Sequence, residues 1–207
     1  MKKLFLTLGS ICFMLIATAQ VGINSAGPAA QTGGDGAFPK GTSIINAGVG
    51  FGDPYWGAGY TSSIPVSPTL SFDHAITGKL GIGTIGVGGI VAYGASKYSD
   101  GTNTYDNSGF MVGVRGTYHF ILNMDNLDPY GGVMLGYIFT SHSTPQDYGY
   151  GYGYVPKDGG VVPGVFVGCH YFFGPAFGVG AEAGYLGLYV FSVGVSFRFG
   201  GGGSASK

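Results

Sequence analysis

The most constraining feature of this chain is a two-residue alternation whose two faces differ in kind. Phe110, Val112, Val114, Tyr118, Phe120 and Leu122 share one parity, while Gly113, Arg115, Thr117 and His119 share the other. A period of two with unlike faces is the mark of a β-strand buried differently on its two sides. The pattern recurs along the chain. Ile45, Ala47, Val49 and Phe51 oppose Ile44, Asn46, Gly48 and Gly50; Val66, Leu70 and Phe72 oppose Ser67, Thr69, Ser71 and Asp73; Ile85, Val87, Val91 and Tyr93 oppose Gly86, Gly88 and Ala92. Val133, Leu135, Tyr137 and Phe139 oppose Gly132, Met134, Gly136 and Ile138, a weaker contrast; Val165, Val167, Tyr171 and Phe173 oppose Gly164, Phe166, Gly168 and His170. Phe177, Val179, Ala181, Ala183 and Tyr185 oppose Gly178, Gly180, Glu182 and Gly184, and Val193, Val195, Phe197 and Phe199 oppose Ser192, Gly194, Ser196 and Arg198. The expectation is eight strands.

Charge decides which face meets which medium. Within these segments Asp73, Arg115, Glu182 and Arg198 all fall on the glycine and serine face. A soluble closed barrel is apolar inside and charged outside, whereas a membrane barrel reverses this. Only 9% of the residues are charged, against about 25% in a soluble domain. The Val/Phe/Tyr face therefore points outward into hydrocarbon, where a basic side chain at the midplane would cost about 2–4 kcal/mol. The inward glycines leave room for a few large polar groups, since an eight-stranded barrel is just wide enough to be filled by side chains. The same numbers exclude other classes. A net charge of -1 with no basic stripe excludes a nucleic-acid binder, and 43 glycines exclude a helical bundle, because each interior glycine costs a helix about 1 kcal/mol.

Connection lengths test the reading independently. Gly52 to Ser63, Ala95 to Ser108 and Ser141 to Gly160 are long, while Ile76 to Lys79, Asn123 to Asp128 and Gly174 to Pro175 are short. A seventh, around Gly187 and Leu188, is short where a long one is due. Short turns on one side and long loops on the other are how transmembrane barrels are organised, the loops facing outward. The ends of the chain fit export. Residues 1–19 carry Lys2 and Lys3, an apolar run from Leu4 to Ile16 and Ala17-Thr18-Ala19, a secretory signal peptide cut after Ala19. Residues 20–40 form a flexible lead-in, 41–199 the barrel and 200–207 a short tail. Removal of the signal takes Cys12 with it and leaves Cys169 as the single cysteine of the mature chain, so no intramolecular disulfide forms.

With the signal peptide, the eight alternating strands and the closing segment in view, the chain resembles the small OmpA/OmpX-type, porin-like outer-membrane β-barrels over residues 41–199. Ser192-x-Gly194-x-x-Phe197-x-Phe199 is similar to the closing signal that the barrel assembly machinery reads. The resemblance implies an eight-stranded antiparallel up-and-down transmembrane β-barrel in a Gram-negative outer membrane, surrounded by lipid and lipopolysaccharide. It implies no particular activity, because one fold hosts unrelated functions.

The candidate site residues are few. Asp73, Arg115, His119, His170, Glu182 and Arg198 form an interior polar set, read first as a structural ion network in which Asp73 could meet Arg198, and alternatively as a polar conduit. Tyr148, Tyr150, Tyr152 and Tyr154 alternate with glycine in the longest outward loop, a candidate surface-binding segment for an extracellular ligand. Tyr55, Trp56 and Tyr60 fit an outer aromatic girdle. Gly81-x-Gly83-x-x-Gly86 matches a dinucleotide fingerprint in letters alone, since it lies in a strand and no helix follows. Ser141-His142-Ser143 stands where lipid A-modifying barrel enzymes keep a His and a Ser, without an acid fixed by sequence. Asp53, Asp100, Asp106, Asp147 and Asp158 make the outward loops acidic against Lys97 and Lys157, but no calcium-loop spacing occurs. The expected role is therefore structural or surface-interacting, with no catalysis, cofactor or dedicated metal; a narrow diffusion channel and a lipid-modifying enzyme are the alternatives.

Overall fold

The structure, a computed structural model, describes residues 36–52, 66–99, 104–122, 124, 126–143 and 159–200. Eight strands run β1 (Thr42–Phe51), β2 (Val66–Ala75), β3 (Gly83–Ser99), β4 (Thr104–Phe120), β5 (Leu127–Ser143), β6 (Gly160–Phe172), β7 (Phe177–Tyr185) and β8 (Phe191–Gly200). Each pairs antiparallel with its neighbour in sequence, and β8 closes on β1 from Thr42↔Gly200 to Phe51↔Phe191. Closure leaves no edge strand, the condition for placing backbone in hydrocarbon. The alternation sorts as charge demanded: Val114 is 66% exposed on the outer wall and Arg115, its neighbour, 3% exposed in the lumen. Phe110, Tyr137 and Phe139 cluster at one end of the outer wall, and Tyr118, Phe120, Tyr171, Phe173, Phe177, Phe197 and Phe199 at the other. From Phe110 to Phe120 a strand tilted by about 40° climbs roughly 25 Å, the height of an apolar membrane band.

Two connections differ from expectation, and the seventh, read as short, has a structural reason for its length. β3 and β4 stay paired to Ser99↔Thr104, so the expected loop from Ala95 to Ser108 is mostly a hairpin. Continued pairing satisfies the backbone there, although Ser96, Lys97 and Ser99 offer no contrast between faces. The expected turn from Asn123 to Asp128 is shorter than read, because β5 starts at Leu127 and pairs Asp128 with His170. The seventh connection, Leu186 to Val190, is short because it folds inward: Leu186 and Tyr189 are buried and Leu188 packs against the same cluster. Gly50 makes this possible, since a Cβ there would stand 2.5 Å from Tyr189 Cγ.

The end of the supposed flexible lead-in is also corrected. Gly41 N–H donates to Ala75 O at 3.0 Å and Thr42 N–H to Pro39 O at 3.0 Å, which turns the preceding residues under the barrel and buries Ala37 and Phe38. The lumen is thus layered. Phe38, Ile44, Ala75 and Phe172 close the short-turn end, and Ile90, Ala92, Met111, Met134, Ile138, Val162, Phe166, Leu186 and Tyr189 fill the outward half.

Candidate functional site: an ionic layer sealed in the lumen

Between the two apolar layers lies the polar one. Arg115 projects inward from β4, with Thr117 and His119 two and four residues on along the same face. Its Nη2 donates to Glu182 Oε1 on β7, and its Nε lies 3.1 Å from Asp73 Oδ1 on β2. The guanidinium also stands 4.3 Å over the Phe166 ring. Tyr130 donates its hydroxyl to Glu182 Oε1 at 2.8 Å. On the other side, Asp128 gathers both histidines: His119 Nδ1 lies 2.8 and 3.0 Å from its two oxygens, and His170 Nδ1 3.1 Å from Oδ2. A carboxylate only accepts, so both Nδ1 atoms donate. His119 Nε2 meets Thr117 Oγ1 at 3.0 Å, and His170 Nε2 meets the Tyr130 hydroxyl at 3.4 Å. Rings stack through the layer, with Phe38 on His119 at 3.7 Å, His119 on Tyr130 at 5.0 Å and Tyr130 on His170 at 4.7 Å. Above it, burial pushes the Tyr189 phenol up, and the charge of Glu182 adds to the effect.

Of the interior set read from sequence, Asp73, Arg115 and Glu182 meet one another, and His119 and His170 meet through Asp128. Asp73 goes to Arg115 rather than to Arg198. Arg198 sits at the short-turn rim, where it donates to Pro175 O at 3.1 Å and Ala37 O at 2.8 Å and lies 4.2 Å over Phe172. A longer side chain at the end of β8 reaches the turn carbonyls before it reaches the middle of the lumen. Asp128, Tyr130 and Phe38 escaped the sequence reading. The first two carry the same parity as Gly132 and Met134, so extending that alternation upstream across Pro129 finds them.

The other candidates separate. Ser192 is buried in the lumen, Gly194 approaches Gly48 across the closing seam, and Phe197 and Phe199 face outward. A Cβ on Gly194 would stand 2.7 Å from Gly48 Cα, so this seam requires glycine. Ser141 ends exposed on β5, opposite Ser108. The loop with Tyr148, Tyr150, Tyr152 and Tyr154, the residues Tyr55, Trp56 and Tyr60, and Asp53, Asp100, Asp147, Lys157 and Asp158 lie outside the described residues. Among the described residues no group of His, Cys, Asp and Glu is arranged to hold a metal ion.

A closed, antiparallel, eight-stranded barrel with an apolar outer wall and a polar layer inside is the fold of the small outer-membrane β-barrels. Solved structures that share it include OprG from Pseudomonas aeruginosa, with a TM-score of 0.53 and 14% identity over 80% of this chain and 98% of that one, and Ail, the attachment invasion locus protein of Yersinia pestis, solved with the heparin analogue sucrose octasulfate, with a TM-score of 0.52 and 17% identity over 77% of this chain and 99% of that one. No protein-family model and no curated protein sequence matches the chain.

Proposed function

We propose that this chain is exported by its signal peptide and resides in an outer membrane as a filled barrel. Its role is structural or surface-interacting, with lipid and lipopolysaccharide around the wall and the barrel assembly machinery reading Ser192, Gly194, Phe197 and Phe199. The observation that supports this reading is the double seal. Phe38 and Phe172 lie below the ionic layer, and Met111, Ile138, Leu186 and Tyr189 lie above it, all buried. Passive diffusion of a solute needs a continuous watery gap, and apolar layers on both sides of a charged one oppose it. Work is then left to the outward loops. Ail was solved with a sulfated sugar analogue, but the loops here carry Asp53, Asp100, Asp106, Asp147 and Asp158 against Lys97 and Lys157. Charge complementarity therefore disfavours a polyanion, and the Tyr/Gly tract suits a neutral or cationic surface group.

Two experiments test the reading. Purified barrel in planar bilayers is expected to give no stable large openings, and a steady conductance would overturn the filled-barrel role. Cells that display the barrel without residues 146–156 are expected to lose adhesion to host cells or matrix; unchanged adhesion in every assay removes the role given to that loop.

A further inference from the structure

The two seals of the lumen are built differently. The outward one is made by side chains of β3 to β6, with Leu186 and Tyr189 from the connection between β7 and β8. The short-turn one takes Ile44, Ala75 and Phe172 from strands, but its fourth member, Phe38, comes from residues 36–41, which precede β1 and join no strand pair. β1, which follows, is paired with both β2 and β8 from Ser43 to Phe51.

The segment is held at few points. Gly41 N–H donates to Ala75 O at 3.0 Å, Arg198 Nη1 donates to Ala37 O at 2.8 Å, and the Phe38 ring stacks on His119 at 3.7 Å. Thr42 N–H closes a turn on Pro39 O. Gly36 and Gly41 bound the segment at φ of 71° and 82°, a left-handed backbone that favours glycine. Between them Ala37 and Phe38 are buried, Pro39 is half-buried and Lys40 is exposed. One aromatic ring therefore carries most of the apolar contact between segment and barrel.

Such a segment, with little buried surface and no ladder of its own, opens at a lower free energy than the strands it covers. Behind Phe38 the surface is polar. His119 lies there with Asp128 on its Nδ1 and Thr117 on its Nε2. Thr84 stands opposite His119 on β3, and its buried hydroxyl finds no hydrogen-bond partner among the described residues. Water entering behind Phe38 would hydrate that hydroxyl, which offsets part of the apolar burial lost when the ring leaves.

We propose that residues 36–41 form a strap that swings out of the short-turn mouth while the barrel stays closed, so that the near face of the ionic layer meets water and small solutes from that side alone. The strap rests on the sealed-barrel reading, because the outward seal is what keeps the opened lumen a one-sided vestibule.

The test is thiol labelling in detergent micelles, where a small charged methanethiosulfonate reagent reaches both mouths. Thr84→Cys reports on the short-turn side of the ionic layer and Ser67→Cys on the outward side, both at buried positions. Each is made in the Cys169→Ser chain without residues 1–19. Thr84→Cys should be labelled in the folded barrel at a rate that low urea leaves unchanged, whereas Ser67→Cys should be labelled only as the barrel unfolds. Phe38→Ala should speed Thr84→Cys labelling about a hundredfold or more and leave Ser67→Cys protected, with heat-modifiable gel mobility showing a folded barrel. The urea comparison keeps the strap intact, so it decides the matter whether or not Phe38→Ala folds. Labelling of Thr84→Cys that tracks unfolding, or a rate that a folded Phe38→Ala barrel leaves unchanged, would overturn the strap. Labelling of Ser67→Cys in the folded parent would instead overturn the sealed barrel on which the strap rests, so the two failures are distinct.

Discussion

Arg115→Leu is the sharpest probe of the lumen. Arg115 Nε lies 3.1 Å from Asp73 Oδ1, its Nη2 donates to Glu182, and its guanidinium lies 4.3 Å over Phe166. Removing one partner of a buried pair costs about 3–5 kcal/mol, because the other charge stays behind unpaired. Here two carboxylates are abandoned, and a desolvated cation–π contact adds up to about 2 kcal/mol. Leucine regains part of this through apolar contact with Phe166, so a net loss of about 4 kcal/mol or more is expected against a typical total of about 5–15. Removing the abandoned charges as well should restore most of it: Arg115→Leu with Asp73→Asn and Glu182→Gln should return to within about 2 kcal/mol of the parent, since a replaced ion network is often nearly neutral. Gln at 182 still accepts from Tyr130. The assay is urea unfolding in lipid vesicles, with heat-modifiable gel mobility as a check on folding. A cost below about 1 kcal/mol for the single variant, or a triple variant as unstable as the single one, refutes the argument.

Other outcomes follow from the packing. Gly50→Val should displace Tyr189 and cost about 1–3 kcal/mol in the same assay, because its Cβ would stand 2.5 Å from the Tyr189 ring. Gly116→Ala on the outer wall has nothing within 4 Å and is expected to leave stability unchanged or raise it by about 0.4–1 kcal/mol. Val114→Arg, in the middle of the exposed band, should cost about 2–4 kcal/mol in vesicles, where the arginine must enter lipid.

What sequence could show was parity, and what it could not show was anything that parity does not carry. The eight strands and the division into an apolar wall and a charged lumen follow from residues such as Val112, Val114 and Arg115, where neighbours differ strongly. Asp128 was hidden because Pro129 and the run Asn123 to Asp128 carry turn chemistry, which outweighs a two-residue pattern at the start of a strand. The paired ends of β3 and β4, from Ser96↔Asn107 to Ser99↔Thr104, were hidden because their sequence offers no contrast between faces. Phe38, Leu186 and Tyr189 enter the lumen from segments with no period, so only three-dimensional placement reveals them. Arg198 had the right parity but stands too near the end of β8, and parity says nothing of height along the barrel axis.

Height and parity together explain why a lumen sealed by apolar groups keeps charges at all. Apolar residues inside and outside would make the two faces of each strand interchangeable, and a one-residue slip would then cost little. With the ionic layer present, a slip of β4 by one residue carries Arg115 to the wall, at about 2–4 kcal/mol in mid-membrane, and leaves Asp73 and Glu182 without their counter-charge. A slip of β5 does the same to Asp128 and strands His119 and His170. The layer spans β2, β4, β5, β6 and β7, so it fixes strands that are not neighbours as well as those that are. On this account Asp73→Asn/Arg115→Leu/Glu182→Gln should keep most of its equilibrium stability yet refold with more misregistered, protease-sensitive product than the parent. Equal yields of correctly closed barrel from both chains would remove register selection as the reason for the charges.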